Sequence, residues 1–573
     1  MRLCSRFNRN RQKPHLINIL MQAPDVSPKF ASETDPAFPC LDANELDAAS
    51  SCGRVEQVPA GALIFRTGDD PFDCVVVVKG AIGIFDRTSA TERQIAEHHA
   101  GGFSGDIGLL AGRPALADAR ALVASEIVRL DAAQLRHLLV VNPAIGEKWI
   151  PALLRRRELL IGRGHEGLHV FGSADDAATL RACEFLFRNG VPHRWRDLGE
   201  EESRADLARL YPNRTPAFPV VAMAGKAVCE GVGLADLGRI TGVLRPLPTA
   251  RFDVIIIGAG PAGLGAAVYA ASEGLHTLVV DPLGPGGQAG SSSRIENYAG
   301  FPEGISGRDL ALRSYVQALK FGATFSIPRS VKAVTSRTDG THEVELADGS
   351  RVETRAVIVA TGVSYRHLPV PGLARFAGTG VYYAATQMEA RLCRERPVHV
   401  IGAGNSAGQA AMYLSRFTER VNLVMRGNDI YSSMSDYLAD RVVANRRIQL
   451  RTHCELRSVS GAQFLENVTL EDNRTSQLTE EPSGGVFVFI GAIPVTDFLG
   501  VDIARNSTGF VLTGSDVPKD AWKRNDRNPF PLESSVPGIL VAGDCRQGST
   551  KRVAFAVGDG ALAVTCLHEL FGT

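Results

Sequence analysis

The sequence predicts a multidomain protein: a small β-roll with trailing helices, a compact α/β unit, and then two α/β units of which the second is inserted into the first. Three observations carry this. The chain has 573 residues, too many for one core at roughly 100 to 200 residues per domain. From Arg251 onward, strand, glycine turn, helix and strand follow one another twice, with the turns beginning at Gly258 and Gly402. Those starts lie 144 residues apart, far more than one βαβ unit requires, so the first unit is read as interrupted by the second.

Composition narrows the classes. Hydrophobic residues at 45% and charged residues at 22% suit a soluble globular chain and argue against disorder. Lys plus Arg equals Asp plus Glu at 62 each, so no net field recruits nucleic acid or anionic lipid, and the expected partner is a small molecule or another protein. Ten cysteines without a C-x-x-C pair or a zinc-like cluster predict no metal site and no secreted disulfide scaffold, which favours a reducing cytoplasm. Residues 1–40 begin with a basic stretch whose apolar run, Leu16 to Met21, is shorter than a signal-peptide core. They are read as a disordered or processed extension, with a start at Met21 as the other reading. The run FDVIIIGAGPAGLGAAVYAA has the length of a membrane span, but its glycines and Pro261 fit a phosphate-binding turn, and no other segment is expected to span.

From Leu41 to Asp131 the runs ALIFRTG, CVVVVKG, AIGIFD and ERQIAEHH read as a β-roll, followed by a helical stretch over Ala132 to Leu160, so that 41–160 forms the first module. Residues 168–242 start again as β-α-β: Leu168 to Phe171, Ala177 to Asn189, His193 to Asp197. FPVVAM and KAVC then read as a hairpin turned at Gly225, LADLGRITG as a helix, and Pro246 and Pro248 as a linker.

The first glycine turn reads Gly258-x-Gly260-x-x-Gly263 between the strand Phe252 to Ile257 and a helix, and the next strand ends at Asp281. The glycines serve a tight turn, close approach of backbone to a pyrophosphate, and close helix–strand packing, while the helix N-terminus favours the phosphates. Asp281, 18 residues after Gly263, stands where a carboxylate accepts from an adenosine ribose. The second turn reads Gly402-x-Gly404-x-x-Ala407. No acid ends its following strand; Arg426 stands there, suited to the 2′-phosphate of NADPH, with a solvated arginine as the plainer reading. Both are Rossmann-like units.

Residues 251–573 resemble the low-molecular-weight thioredoxin reductases. The resemblance rests on Gly286-Gly287-Gln288, IENYAGFPEGISG at 295–307, ATG at 360–362, LVAGD at 540–544 and KRVAFAVGDGALAV at 551–564. It implies an FAD domain (251–366 and 491–573) split by an NAD(P)H domain (367–490), and a homodimer. It also implies that Gly287, Gln288 and Asn297 line the flavin site, Asp544 holds the ribityl chain, and the backbone of Arg552, Val553 and Ala554 faces the ring edge. Two departures matter. The family's C-A-T-C reads Ala384-Ala385-Thr386-Gln387 here, so Ala384 and Gln387 occupy the dithiol positions and no catalytic residue is expected there. The family's paired arginines read Arg426-Gly427, which leaves NADPH favoured and NADH open. Cys393 and Cys545 are expected as small core residues.

Residues 41–160 resemble a cyclic-nucleotide-binding domain, but its phosphate cassette reads Gly105-Asp106 for Gly-Glu and Pro114-Ala115 for Pro-Arg. With the key guanidinium missing, nucleotide binding is expected to be lost, and Arg113 is expected to be a solvated loop arginine. Residues 168–242 resemble a thioredoxin or glutaredoxin fold without its cysteines, with Pro219 at the cis-proline position. The expected function is therefore an FAD-dependent oxidoreductase passing hydride from NAD(P)H to an unidentified small-molecule or protein acceptor. The alternative is a flavin-based redox sensor or scaffold regulated through the N-terminal modules.

Overall fold

A computed structural model describes residues 35–87, 92–162, 167–173, 176–223, 226–247, 251–292, 295, 297–365, 368–376, 380–383, 385, 390, 393, 396–462, 464–524 and 526–572. The chain forms two compact units, residues 1–243 and 244–573.

In the first unit the roll consists of two antiparallel sheets. One has the order Arg54–Val58, Ser125–Leu130, Cys74–Lys79, and the other Leu63–Phe65, Asp118–Ala121, Ala81–Asp86, Arg93–His99. Val58, Ile64, Val75, Val77, Ile82, Ala115, Ala119 and Ile127 close its core. A helix, Ala43–Cys52, precedes the roll where short β-like runs were expected. Its signature was in the sequence: Asp42 accepts from the Glu45 amide while the Glu45 carboxylate accepts from the Asp42 amide. The helical stretch expected over 132–160 consists of two helices, Ala132–Val141 and Pro143–Gly162. Pro143 lacks an N–H and disfavours helical backbone at Asn142, so the helix ends there and a new one starts.

Residues 168–240 form a four-stranded sheet ordered Lys226–Glu230, Val220–Met223, Leu168–Gly172, His193–Asp197, the last pair parallel and the others antiparallel. The Phe218–Pro219 peptide is cis. Gly225, expected at the hairpin turn, lies outside the described residues.

Among the described residues the second unit contains two large sheets, a two-stranded pair and the antiparallel three-stranded sheet Cys454–Ser460, Asn467–Asp472, Gln477–Pro482. The first runs Thr324–Ser326, Thr277–Val280, Phe252–Ile257, Arg351–Val359, His342–Leu346, Val331–Ser336, with Ile539–Val541 also parallel to Arg351–Val359. The second is parallel throughout: Val381–Tyr382, Gly485–Val488, Val398–Ile401, Val421–Val424, Ile448–Arg451. The chain passes between them through the antiparallel pair Val363–Tyr365 and Ala492–Pro494. Parallel strands buried on both faces read as continuous apolar runs, which is why FDVIII and VHVI were legible as strands.

Contrary to the sequence expectation, a second segment has the length and composition of a membrane span: the helix Val553–Phe571. It packs on the helix Pro261–Ser272 over the first sheet, contributing Ala556, Ala563, Val564 and Leu567 to that core. Gly560 makes this possible, since a Cβ there would stand 2.2 Å from the Ala262 carbonyl oxygen.

Candidate functional site

The first glycine turn sits where the strand Phe252–Ile257 ends and the helix Pro261–Ser272 begins, at the carboxyl edge of the sheet, the usual ligand position in such folds. Its three glycines face different surroundings. A Cβ at Gly263 would lie 1.8 Å from the Gly258 carbonyl oxygen, and one at Gly258, where φ is +106°, 2.5 Å from the Ala360 oxygen. Both glycines are required by the fold itself. Gly260 differs: its nearest neighbour is the Gly287 Cα at 3.7 Å, so nothing in the protein forbids a side chain there. A Cβ on Gly287 would in turn stand 2.9 Å from the Gly260 Cα, so the turn and the loop carrying Gly287 meet backbone to backbone.

Asp281 holds that loop to the turn. Its carboxylate accepts from the Ala259 amide at 2.8 Å, the Leu283 amide at 2.8 Å and the Gly284 amide at 2.7 Å, and it is only 8% exposed. The Gly286 amide donates back to the Ala259 carbonyl at 2.8 Å. The acid expected on a ribose thus also organises the backbone of the turn and of the loop that faces it. Gln288, one residue beyond Gly287, donates its amide to the Val363 carbonyl.

Three further groups close on the same edge. Gly543 lies against Ala262 and Ala556, where a Cβ would come within 3.0 and 3.8 Å of their side chains. This brings the Asp544 loop to the first turns of both long helices. The Asp544 carboxylate is half-buried, makes no hydrogen bond to a described residue, and is pushed up from its ordinary pKa by desolvation, opposed by Lys551. Arg552 caps the helix Val553–Phe571, leaving the N–H groups of Val553 and Ala554 in the first turn, where no intrahelical carbonyl is available. Val553 packs beside Ile295, Ile305 and Leu310, the segment that carries Asn297, itself exposed. Sequence reasoning missed Asp559 and Arg546. The Asp559 carboxylate accepts from the Gly543 amide at 2.9 Å and from Arg546 through two bonds of 2.8 and 2.9 Å, fixing the Asp544 loop. Their 13-residue spacing matches no local pattern.

The second turn repeats the first. A Cβ at Gly402 would lie 2.2 Å from the Phe489 carbonyl oxygen, while Gly404 is open, its nearest neighbour the Ser433 oxygen at 3.8 Å. Ala407 is fully buried beneath it. Asn405 Oδ1 accepts from the Ser435 amide at 2.8 Å and the Ser433 hydroxyl donates to the Ala403 carbonyl at 3.0 Å, tying the 429–435 loop to the turn. Arg426 follows the strand Val421–Val424, is exposed, and has no hydrogen bond to a described residue.

Ala384, Thr386 and Gln387 lie outside the described residues. Cys393 is buried, its thiol donating to the Gly484 carbonyl at 3.4 Å. Cys545 is buried among Val359 and Ala542, and burial pushes its pKa up to about 11. A thiol held so far above neutrality supplies little thiolate. No disulfide occurs among the described residues.

In the first unit Gly105 leads into Asp106, which caps the short helix Ile107–Leu110 and pairs with Arg157 at 2.9 Å. Ala115, in the arginine's place, is buried in the apolar core of the roll. Arg113 is not the solvated loop residue expected from its position: it is 7% exposed and donates to the Asn189 carbonyl at 2.5 Å.

Comparison with known proteins agrees with this geometry. Residues 252–560 match the pyridine nucleotide-disulphide oxidoreductase family, and residues 55–142 match the cyclic nucleotide-binding domain. Thioredoxin reductase of Treponema pallidum is 35% identical over 312 residues, covering 54% of this chain and 94% of that protein. That of Bacillus subtilis is 34% identical over 324 residues, covering 56% and 94%. The crystal structure of Lactococcus lactis thioredoxin reductase in its FR conformation aligns at 28% identity and a TM-score of 0.46, covering 56% of this chain and 99% of that one. The chain belongs to the pyridine nucleotide-disulphide oxidoreductase family, as an NAD(P)H-dependent flavoprotein oxidoreductase of the thioredoxin reductase-like class that carries a cyclic nucleotide-binding domain ahead of its catalytic half.

Proposed function

We propose that the chain passes reducing equivalents from NADPH through FAD to a small-molecule or protein acceptor other than thioredoxin, working as a homodimer. The observation that carries the FAD assignment is the bare backbone at Gly260, packed against Gly287 at an edge shared with the half-buried Asp544 carboxylate and the open N–H groups of Val553 and Ala554. Those groups suit, in turn, a pyrophosphate, a hydroxylated chain and an electron-rich ring edge, so the residues present fit FAD. When bound, the flavin supplies the acceptor for the hydride of NAD(P)H, and the protein's task is to hold the two cofactors and exclude water. Gly258, Gly260 and Gly263 form the turn, Gly287, Gln288 and Asn297 the facing loop, and Asp544 the anchor. Asp281 acts as a positioning residue that shapes the turn. Gly402, Gly404 and Ala407 hold the nicotinamide dinucleotide, with Arg426 on its 2′-phosphate. The FAD half is split by the inserted NAD(P)H half, and the sheet order and connectivity of 168–240 support a thioredoxin-like module without redox cysteines.

The acceptor follows from the dithiol positions. Alanine and glutamine at 384 and 387 offer no sulfur to attack or resolve a mixed disulfide, and Cys393 and Cys545 are sealed in cores. The wild-type chain is therefore expected to reduce dyes or oxygen with NADPH while leaving oxidised thioredoxin untouched. Installing Ala384→Cys together with Gln387→Cys restores the family's spacing, and the pair is expected to form a disulfide that NADPH reduces. Thioredoxin turnover coupled to NADPH oxidation reads out both claims. Robust thioredoxin reduction by the unmodified chain contradicts the proposal.

A further inference from the structure

Arg113 of the degenerate cassette and Arg157 of the helix Pro143–Gly162 are both buried, and both reach backbone carbonyls of the neighbouring module of the same unit. The helix Ala177–Arg188 ends at Asn189 and Gly190, with Gly190 in the left-handed region at φ +61° and the Val191 amide returning to the Leu186 carbonyl at 2.9 Å. This ending leaves the Asn189 and Gly190 carbonyls directed onward. Arg113 donates to the Asn189 carbonyl at 2.5 Å, and Arg157 donates to the Gly190 carbonyl at 3.2 Å while paired to Asp106 at 2.9 Å. A second helix end covers the same segment: a Cβ at Gly242, φ +65°, would stand 2.2 Å from the Pro114 ring.

The electrostatics are complementary. A helix C-terminus carries a partial negative charge on its unsatisfied carbonyls, equivalent to about half an elementary charge. Guanidinium groups removed from water need such acceptors, because a buried unsatisfied charge is costly. Arg113 and Arg157, 7% and 5% exposed, meet that need with the two carbonyls.

We infer that the degenerate cassette is an intramolecular clasp: the carbonyl end of the helix Ala177–Arg188 occupies, as a fixed internal ligand, the cationic positions an anion would otherwise take, and so fastens the 168–240 module to the roll. The loss of the Pro-Arg guanidinium is then part of a change of partner. Ala115 fills the roll with methyl where an arginine would need an anion, and Arg113 turns to the adjoining helix.

Hydrogen exchange on the full-length flavoprotein tests this. Arg113→Met keeps the apolar stem and removes the donors, and Arg113→Lys keeps a charged donor. The methionine variant is expected to speed exchange in the helix Ala177–Arg188 about tenfold or more, the cost of one charge-assisted bond, with the lysine variant between it and wild type. The roll strand Ser125–Leu130 and the strands Phe252–Ile257 and Thr277–Val280 should stay protected in both, and Arg157→Met should act in the same direction. Cyclic AMP and cyclic GMP should leave wild-type exchange unchanged and give no heat by calorimetry. Wild-type exchange in Arg113→Met, or loss of protection in the roll as fast as in the helix, would overturn the clasp. Micromolar cyclic nucleotide binding that protects 105–113 would overturn it too, by showing that the cassette still takes its anion.

Discussion

Gly260→Leu yields protein that folds, purifies at normal yield and is colourless. The backbone at Gly260, φ −73° and ψ −176°, is extended and open to any residue, and the nearest atom to an added Cβ is 3.7 Å away. Folding therefore tolerates the substitution, at a cost near that of an unfavourable N-cap, about 1 kcal/mol. Bound flavin does not tolerate it: the leucine side chain stands at the turn where a pyrophosphate would meet the backbone. Losing two charge-assisted contacts, about 1.5 to 3 kcal/mol each, lowers flavin affinity about 10²- to 10⁴-fold. Gly263→Ala is the contrast. Its Cβ would collide with the Gly258 carbonyl at 1.8 Å, so that variant should lose thermal stability as well as flavin. Flavin-to-protein ratios and melting temperatures separate the two effects. A fully loaded yellow Gly260→Leu protein would place the pyrophosphate elsewhere.

Arg426→Glu should weaken NADPH about 10- to 150-fold while changing NADH little. The arginine is exposed and not engaged by a described residue, so its removal leaves the fold alone. Gly427 beside it, also exposed, supplies no second guanidinium, which leaves Arg426 as the cation following the strand Val421–Val424. A charge-assisted hydrogen bond to the 2′-phosphate is worth about 1.5 to 3 kcal/mol, and a carboxylate in its place adds repulsion. KM values for the two coenzymes with one dye acceptor read the ratio. Equal losses would give the arginine a structural role.

The features legible in the sequence were those whose physical cause is local. Glycine turns at 258 and 402 announce themselves because each joins a strand directly to the helix that follows it, although the carbonyls that crowd Gly258 and Gly402 come from the distant Ala360 and Phe489. The break at Asn142-Pro143 and the Asp42/Glu45 capping box were equally local, and a closer reading would have found them. Pairings made by tertiary folding were not legible. Arg113 looked solvated because its carbonyl partner lies 76 residues away in another module. Asp281 was read from its spacing as a ribose ligand, and the amides of Ala259, Leu283 and Gly284 that it also accepts from were not legible. Asp559 sits within a segment quoted for its resemblance, but its role in holding Gly543 depends on a helix crossing that only the packed structure defines.

The account stands or falls on continuous turnover. Purified protein mixed anaerobically with excess NADPH should lose its flavin absorbance once and remain reduced. Admitting oxygen, a quinone or a small dye should then start steady NADPH oxidation that continues until the coenzyme is spent, while oxidised thioredoxin in the same cuvette is without effect. One stoichiometric reduction followed by no turnover with every small acceptor would contradict the enzyme and favour a redox sensor.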